Sequence, residues 1–169
     1  MFKLLFLIIV LVSCYPKPVN LDAYQKIKQE EYIQTLLKKG NKYLQNHDLD
    51  RARASFELAR EVKSEDARVF DALGCVSLEK NELDLAKFYF KEAMRLSPQY
   101  DRVFAHMAKL AELKGHFNAS YYLYQQALLL NPLNASARRN LINLQSRMNI
   151  EKSKIDKNIL KVEILRNNM

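Results

Sequence analysis

Few side chains in this 169-residue sequence combine a reactive type with a workable spacing. Its three histidines, His47, His106 and His116, are scattered, and its two cysteines, Cys14 and Cys75, are far apart. A four-ligand zinc site has almost nothing to build from at such spacings, so neither a metal nor a cofactor is expected. Asp48-Leu49-Asp50 offers the paired carboxylates that acid–base chemistry uses, but the pair stands where a turn leads into a helix, and helix capping accounts for it. Cys75 lies in an apolar helical pattern with no charged partner evident from spacing, and reads as a small hydrophobe. His47 and His116 fall in polar turns, and His106 falls within a helical segment as a surface or groove residue. The three glycines are isolated, which excludes a phosphate-cradling loop. Asn118-Ala119-Ser120 and Asn134-Ala135-Ser136 fit the glycosylation triplet, yet both belong to helical stretches. With no convergent catalytic set, the expectation is a protein that is not an enzyme and takes no small-molecule substrate.

The elements that must position any site are helices. Three Gly and four Pro are far fewer than an average chain of this length carries. A composition 49% hydrophobic and 27% charged fits one core-bearing domain and excludes general disorder. The first residues read differently. Met1-Phe2-Lys3 is a short positive start, and Leu4 to Val12 is an unbroken apolar run. As a helix that run covers only about 14 Å, against about 30 Å of bilayer hydrocarbon, so residues 1–13 read as a signal peptide rather than a span. Leu11-Val12-Ser13-Cys14 then resembles the lipobox of bacterial lipoproteins. The resemblance implies that Cys14 becomes the lipidated N-terminus of a mature chain 14–169, with residues 14–20 as anchor and tether. Pro16 and Pro18 keep that tether extended.

The remainder repeats every 34 residues. Gly40 and Gly74 keep this step, as do Ala52, Ala86 and Ser120; Phe56, Phe90 and Tyr124; Ala59, Ala93 and Ala127; and Pro98 and Pro132. Large residues alternate with small ones where two helices would approach. Asp50, Asp84 and Asn118 are expected to cap each second helix, and Pro98 and Pro132 to end it. Ser64 breaks the proline pattern in the first unit. Leu21 to Tyr32 either extends the first helix or forms a short helix of its own. The pattern resembles the tetratricopeptide repeat, in units 33–66, 67–100 and 101–134. The resemblance implies an all-α, right-handed α-solenoid of three helix hairpins, closed by a C-terminal capping helix over 135–148 that solvates the last unit. A basic amphipathic tail, 149–169, follows and reads as packing on the last repeat, or else as a partner-binding or membrane-surface segment.

Such solenoids bind peptides in the concave groove lined by their first helices. Here that row is Gln34, Leu37 and Asn41, then Arg68, Asp71 and Cys75, then Arg102, Ala105 and Lys109, with Arg139 and Asn143 on the cap. The mixture of cations and amides suits a peptide that carries acidic groups. The carboxylate clamp of chaperone-binding members would need Lys and Asn, then Asn, then Lys and Arg. The corresponding positions hold Leu37, Asn41, Ala72, Arg102 and His106, so that clamp is not expected. A net charge of +8, with no reading motif, argues for anionic protein or membrane surfaces and against nucleic acid. The sequence thus predicts a lipid-anchored scaffold of the bacterial cell envelope that binds a protein or peptide partner. It resembles small envelope-assembly lipoproteins of type IV pilus and secretin biogenesis. An adaptor for cell-wall hydrolases, or a surface-exposed lipoprotein meeting host molecules, is the alternative. Tyr15 after Cys14 resembles a sorting signal for the outer membrane, facing the periplasm.

Overall fold

The structure, a computed structural model, describes residues 21–149. The signal segment, Cys14, the tether and the tail from residue 150 lie outside the described residues. Within them the chain is all-α: α1 (Leu21–Gln45), α2 (Leu49–Val62), α3 (Ala67–Glu79), α4 (Leu83–Leu96), α5 (Asp101–Leu113), α6 (Phe117–Leu130) and α7 (135–149). The segment from Leu21 is continuous with the first helix, giving α1 25 residues.

Each hairpin closes because a small residue on one helix admits a large ring from the other. Phe56 packs on Gly40 and Phe90 on Gly74, and a methyl group added at either glycine would intrude on the ring. The repeated small residues Ala52, Ala59, Ala86, Ala93 and Ala127 are fully buried, as are Phe56, Phe90 and Tyr124. Three core clusters, each reaching from one hairpin into the next element of the stack, share partly buried Phe70 and Phe104, so the cores run together along it. Burial of these faces drives stacking, since no single hairpin can cover its own apolar side.

The turns obey the same period. His47, Asn81 and Gly115 each take the left-handed conformation, with φ of 56°, 59° and 75°. Each second helix has its N-cap position one residue later, at Asp48, Glu82 and His116. The expected caps Asp50, Asp84 and Asn118 are therefore inside the helix, two residues past that position. Asp48 does cap α2, accepting from the Arg51 amide, whereas Glu82 and His116 make no side-chain cap bond. Asp50 and Asp84 instead accept from Lys80 and Lys114 of the next turn along the stack. These aspartates are about nine-tenths exposed, so the pairs set alignment more than stability.

Proline is not what ends the second helices. Lys63, Ser97 and Asn131 leave the helix at equivalent positions, each donating its amide to Ala59, Ala93 or Ala127. The first unit stops there with Ser64 in place of proline. First helices start with caps at the same step: Asp66 on α3 and Asn134, which accepts from the Ala137 amide, on α7.

The cap helix repeats only half of the first-helix pattern. Ala137 and Leu144 are buried at the positions of Val69 and Val76 in α3, facing the preceding unit. Ile142 occupies the place of Gly74, the position that faces a hairpin's own second helix, and is 59% exposed.

Candidate functional site

Successive first helices approach backbone to backbone, α1 on α3 and α3 on α5, whereas the second helices stand further apart, α2 and α4 meeting through the side chains of Glu57 and Tyr89. The stack therefore bends with α1, α3 and α5 on its inner side, and their free faces line one concave surface. The eleven residues of the expected row fall into three groups along it.

At the first end, Gln34, Leu37 and Asn41 line an open recess of 860 Å³ together with Thr35, Lys38, Lys39, Lys42 and Gln45. This lining, all from α1, holds three ammonium groups, three carboxamides and one half-buried leucine, with no carboxylate among them. Lys39 lies over the Tyr43 ring at 6.0 Å, leaving Lys38 and Lys42 projecting from the helix. At the other end, Lys109 and Asn143 line a recess of 470 Å³ with Glu112, Asn140, Ser146 and Arg147. Glu112 accepts from Tyr124 at 3.2 Å and from Arg147, which ties the cap helix to the third hairpin. Arg102 and Arg139 are exposed.

The middle group differs from the sequence expectation. Ala105 is 4% exposed and belongs to the core under the cap, because α7 covers that face of α5. Arg68 is spent inside the protein: its guanidinium donates to both oxygens of Glu30 on α1 and to both of Asp66. Asp66 is buried, and burial alone would raise its carboxyl, but the Arg68 hydrogen bonds outweigh this and hold it below the usual carboxylate range. The same bonds raise Arg68 and lower Glu30.

Asp71 is 2% exposed and turns toward α5. Its Oδ1 lies 2.6 Å from His106 Nδ1, and the same nitrogen lies 3.4 Å from Cys75 Sγ. Burial, and after it the nearby Asp71 carboxylate, push the Tyr100 phenol at the start of α5 up. Burial pushes the Cys75 thiol up, against a smaller downward pull from His106. Burial alone would push the His106 imidazole down, but Cys75 and Asp71 beside it outweigh this and hold it up at about 10. Cys75 therefore has a partner, contrary to the sequence expectation, and His106, expected at the surface or in the groove, is that partner. The signal was in the repeat: a first-helix residue meets the next first helix 31 or 35 positions on. Cys75 and His106 are 31 apart, and Asp71 and His106 are 35 apart. Nucleophilic catalysis does not follow from this set. A cysteine–histidine relay places the nucleophile on one ring nitrogen and the orienting carboxylate on the other. Here both address Nδ1.

The family model for the tetratricopeptide repeat matches residues 67–100, the second hairpin. No curated protein matches the sequence. Solved structures share the fold. The TPR domain of Arabidopsis OM64 is 17% identical, with a TM-score of 0.62, covering 70% of this chain and 98% of that one. Pseudomonas aeruginosa pilF is 20% identical with a TM-score of 0.65, covering 72% of this chain and 56% of that one. The first TPR domain of Spaghetti (RPAP3), solved bound to an HSP90 peptide, is 16% identical with a TM-score of 0.60, covering 70% of this chain and 94% of that one. The all-helical solenoid of repeat hairpins with a capping helix is thus the architecture of this chain.

Proposed function

We propose that this protein is a non-enzymatic scaffold that holds an acidic segment of a protein partner on its concave face, within assembly of a cell-envelope complex, while a lipid on Cys14 tethers it to a membrane. The observation that carries the partner reading is the recess on α1, whose lining offers Lys38 and Lys42 with Gln34, Asn41 and Gln45 beside the half-buried Leu37 and no carboxylate. Cations and amides over one apolar contact recognise an acidic or carboxylate-bearing peptide, with orientation set by hydrogen bonds and salt-sensitive strength. A concave face built by rigid, repeated helices presents such groups without a large ordering cost. The likeness to pilF favours pilus or secretin biogenesis among envelope tasks. The anchor reading rests on Leu11-Val12-Ser13-Cys14 behind an apolar run too short to span a bilayer, and outer-membrane placement facing the periplasm rests on Tyr15.

Site-specific photo-crosslinking in living cells tests the partner reading. Probes at Asn41 and Lys109 are expected to trap one envelope protein, and a probe at Lys91 on α4 to trap none. Lys38→Glu with Lys42→Glu should abolish the Asn41 product. Equal products from all three sites would refute the groove. Palmitate labelling that is lost in Cys14→Ser tests the anchor separately; labelling that persists would refute it.

A further inference from the structure

Asp71, Cys75 and His106 bring one carboxylate oxygen, one sulfur and one ring nitrogen within 4.8 Å of one another, between the second and third hairpins. We propose that these three side chains form a binding site for a thiophilic divalent cation of the zinc class, which clips α3 to α5 on the concave face.

The geometry is within side-chain adjustment of what such an ion requires, with the Cys75 sulfur and an Asp71 oxygen within 4.8 Å of each other. For zinc–sulfur bonds of about 2.3 Å and zinc–nitrogen or zinc–oxygen bonds of about 2.0–2.1 Å, tetrahedral edges are about 3.6 Å for S···N and about 3.4 Å for N···O. The Cys75 to His106 separation, 3.4 Å, is already near the first value. The His106 to Asp71 contact, 2.6 Å, is a hydrogen bond through the proton on Nδ1. Replacing that proton with the cation opens the contact by about 0.8 Å, within the reach of side-chain rotation. Binding also displaces the Cys75 thiol proton, so a dication meets a carboxylate and a thiolate and the site becomes neutral.

Convergence on one nitrogen, which argues against a catalytic relay, is what shared coordination needs. The backbone supplies two of the ligands with no rearrangement, since Asp71 and Cys75 stand one turn apart on the same face of α3. An outer contact is present as well: the Phe90 ring lies 5.8 Å from that of His106 at a tilt of 32°, fixing its plane. A mixed sulfur, nitrogen and oxygen set selects the zinc class over magnesium or calcium, which take oxygen alone. Cys75 and His106 are only half-buried, so the fourth position faces the solvent of the groove. The clip does not depend on the partner reading.

The test uses the full chain in a Cys14→Ser background, where Cys75 is the sole thiol. Titration with cobalt(II) is expected to produce a thiolate-to-cobalt charge-transfer band saturating at one equivalent, and zinc(II) to bleach it by competition. Cys75→Ser should remove the band, and His106→Gln should weaken cobalt binding by on the order of 100-fold or more. His47→Gln with His116→Gln should leave it unchanged, excluding surface histidines. If a ligand variant does not fold, the parent spectrum still decides. Absence of the band, its survival in Cys75→Ser, or its loss with His47 and His116 would overturn the site.

Discussion

Gly74→Ala isolates the close approach that sets the geometry of the second hairpin. In an exposed helix this change would stabilise by about 1 kcal/mol, because alanine loses less backbone freedom on folding than glycine. Here the new methyl group would meet the Phe90 ring well inside van der Waals contact. Phe90 is fully buried and has no free volume to retreat into. Overpacking of this kind costs about 1–3 kcal/mol, so the net expectation is a loss of up to about 2 kcal/mol in denaturant melts. The comparison that tests the cause is a double-mutant cycle with Phe90→Leu, which removes the ring carbons that clash. Gly74→Ala should cost about 1–2 kcal/mol less in that background than in the parent. Gly115→Ala is the contrast: nothing lies within 4 Å of the added methyl, but φ is +75°, so it should cost about 1 kcal/mol with no coupling to any ring. A Gly74→Ala variant more stable than the parent, or one whose cost is the same with Phe90 replaced, would refute the packing argument.

Three further outcomes follow from the same structure. His47 is a non-glycine residue at φ 56°, at the position Gly115 occupies in the third unit, so His47→Gly should raise stability by about 0.5–1 kcal/mol in urea melts. The Asp66 carboxyl is held low by Arg68, so its folded pKa lies below its unfolded one; its stabilising contribution is present above about pH 4 and disappears as the pH falls through the folded value. The stability difference between the parent and Asp66→Asn, which retains a capping side chain, should therefore shrink below about pH 4. Tyr124→Phe keeps the ring in its core position but removes the hydrogen bond to Glu112, and should cost about 1 kcal/mol by thermal melting.

The helical class, the three hairpins and the cap were legible because each rests on a local or periodic requirement that recurs every 34 residues. Gly40 and Gly74 had to be small, Phe56 and Phe90 had to be large, and a polar cap had to close the open end. The second-helix caps were misplaced by two residues because Asp50 and Asp84 have the right chemistry for a cap, and only the backbone shows that the left-handed residue just before the cap sets the helix start. Proline at 98 and 132 looked causal, yet the helix ends at Lys63 just as it does at Ser97 and Asn131.

The groove shows the same division more sharply. A helical wheel places Arg68, Asp71 and Ala105 on the free face of a first helix, and that much follows from 3.6 residues per turn. Whether a face stays free depends on how far the next first helix rolls toward it, which is a property of packed surfaces and not of either helix alone. The roll buries Asp71 against His106, joins Arg68 to Glu30 and Asp66, and lets α7 cover Ala105, while Lys38, Asn41 and Lys42 at the start of the stack stay open. Sequence alone thus determined which residues repeat and why. Tertiary structure decided which members of the repeated rows meet one another across units, because contacts at 31 and 35 positions exist only once the hairpins have stacked.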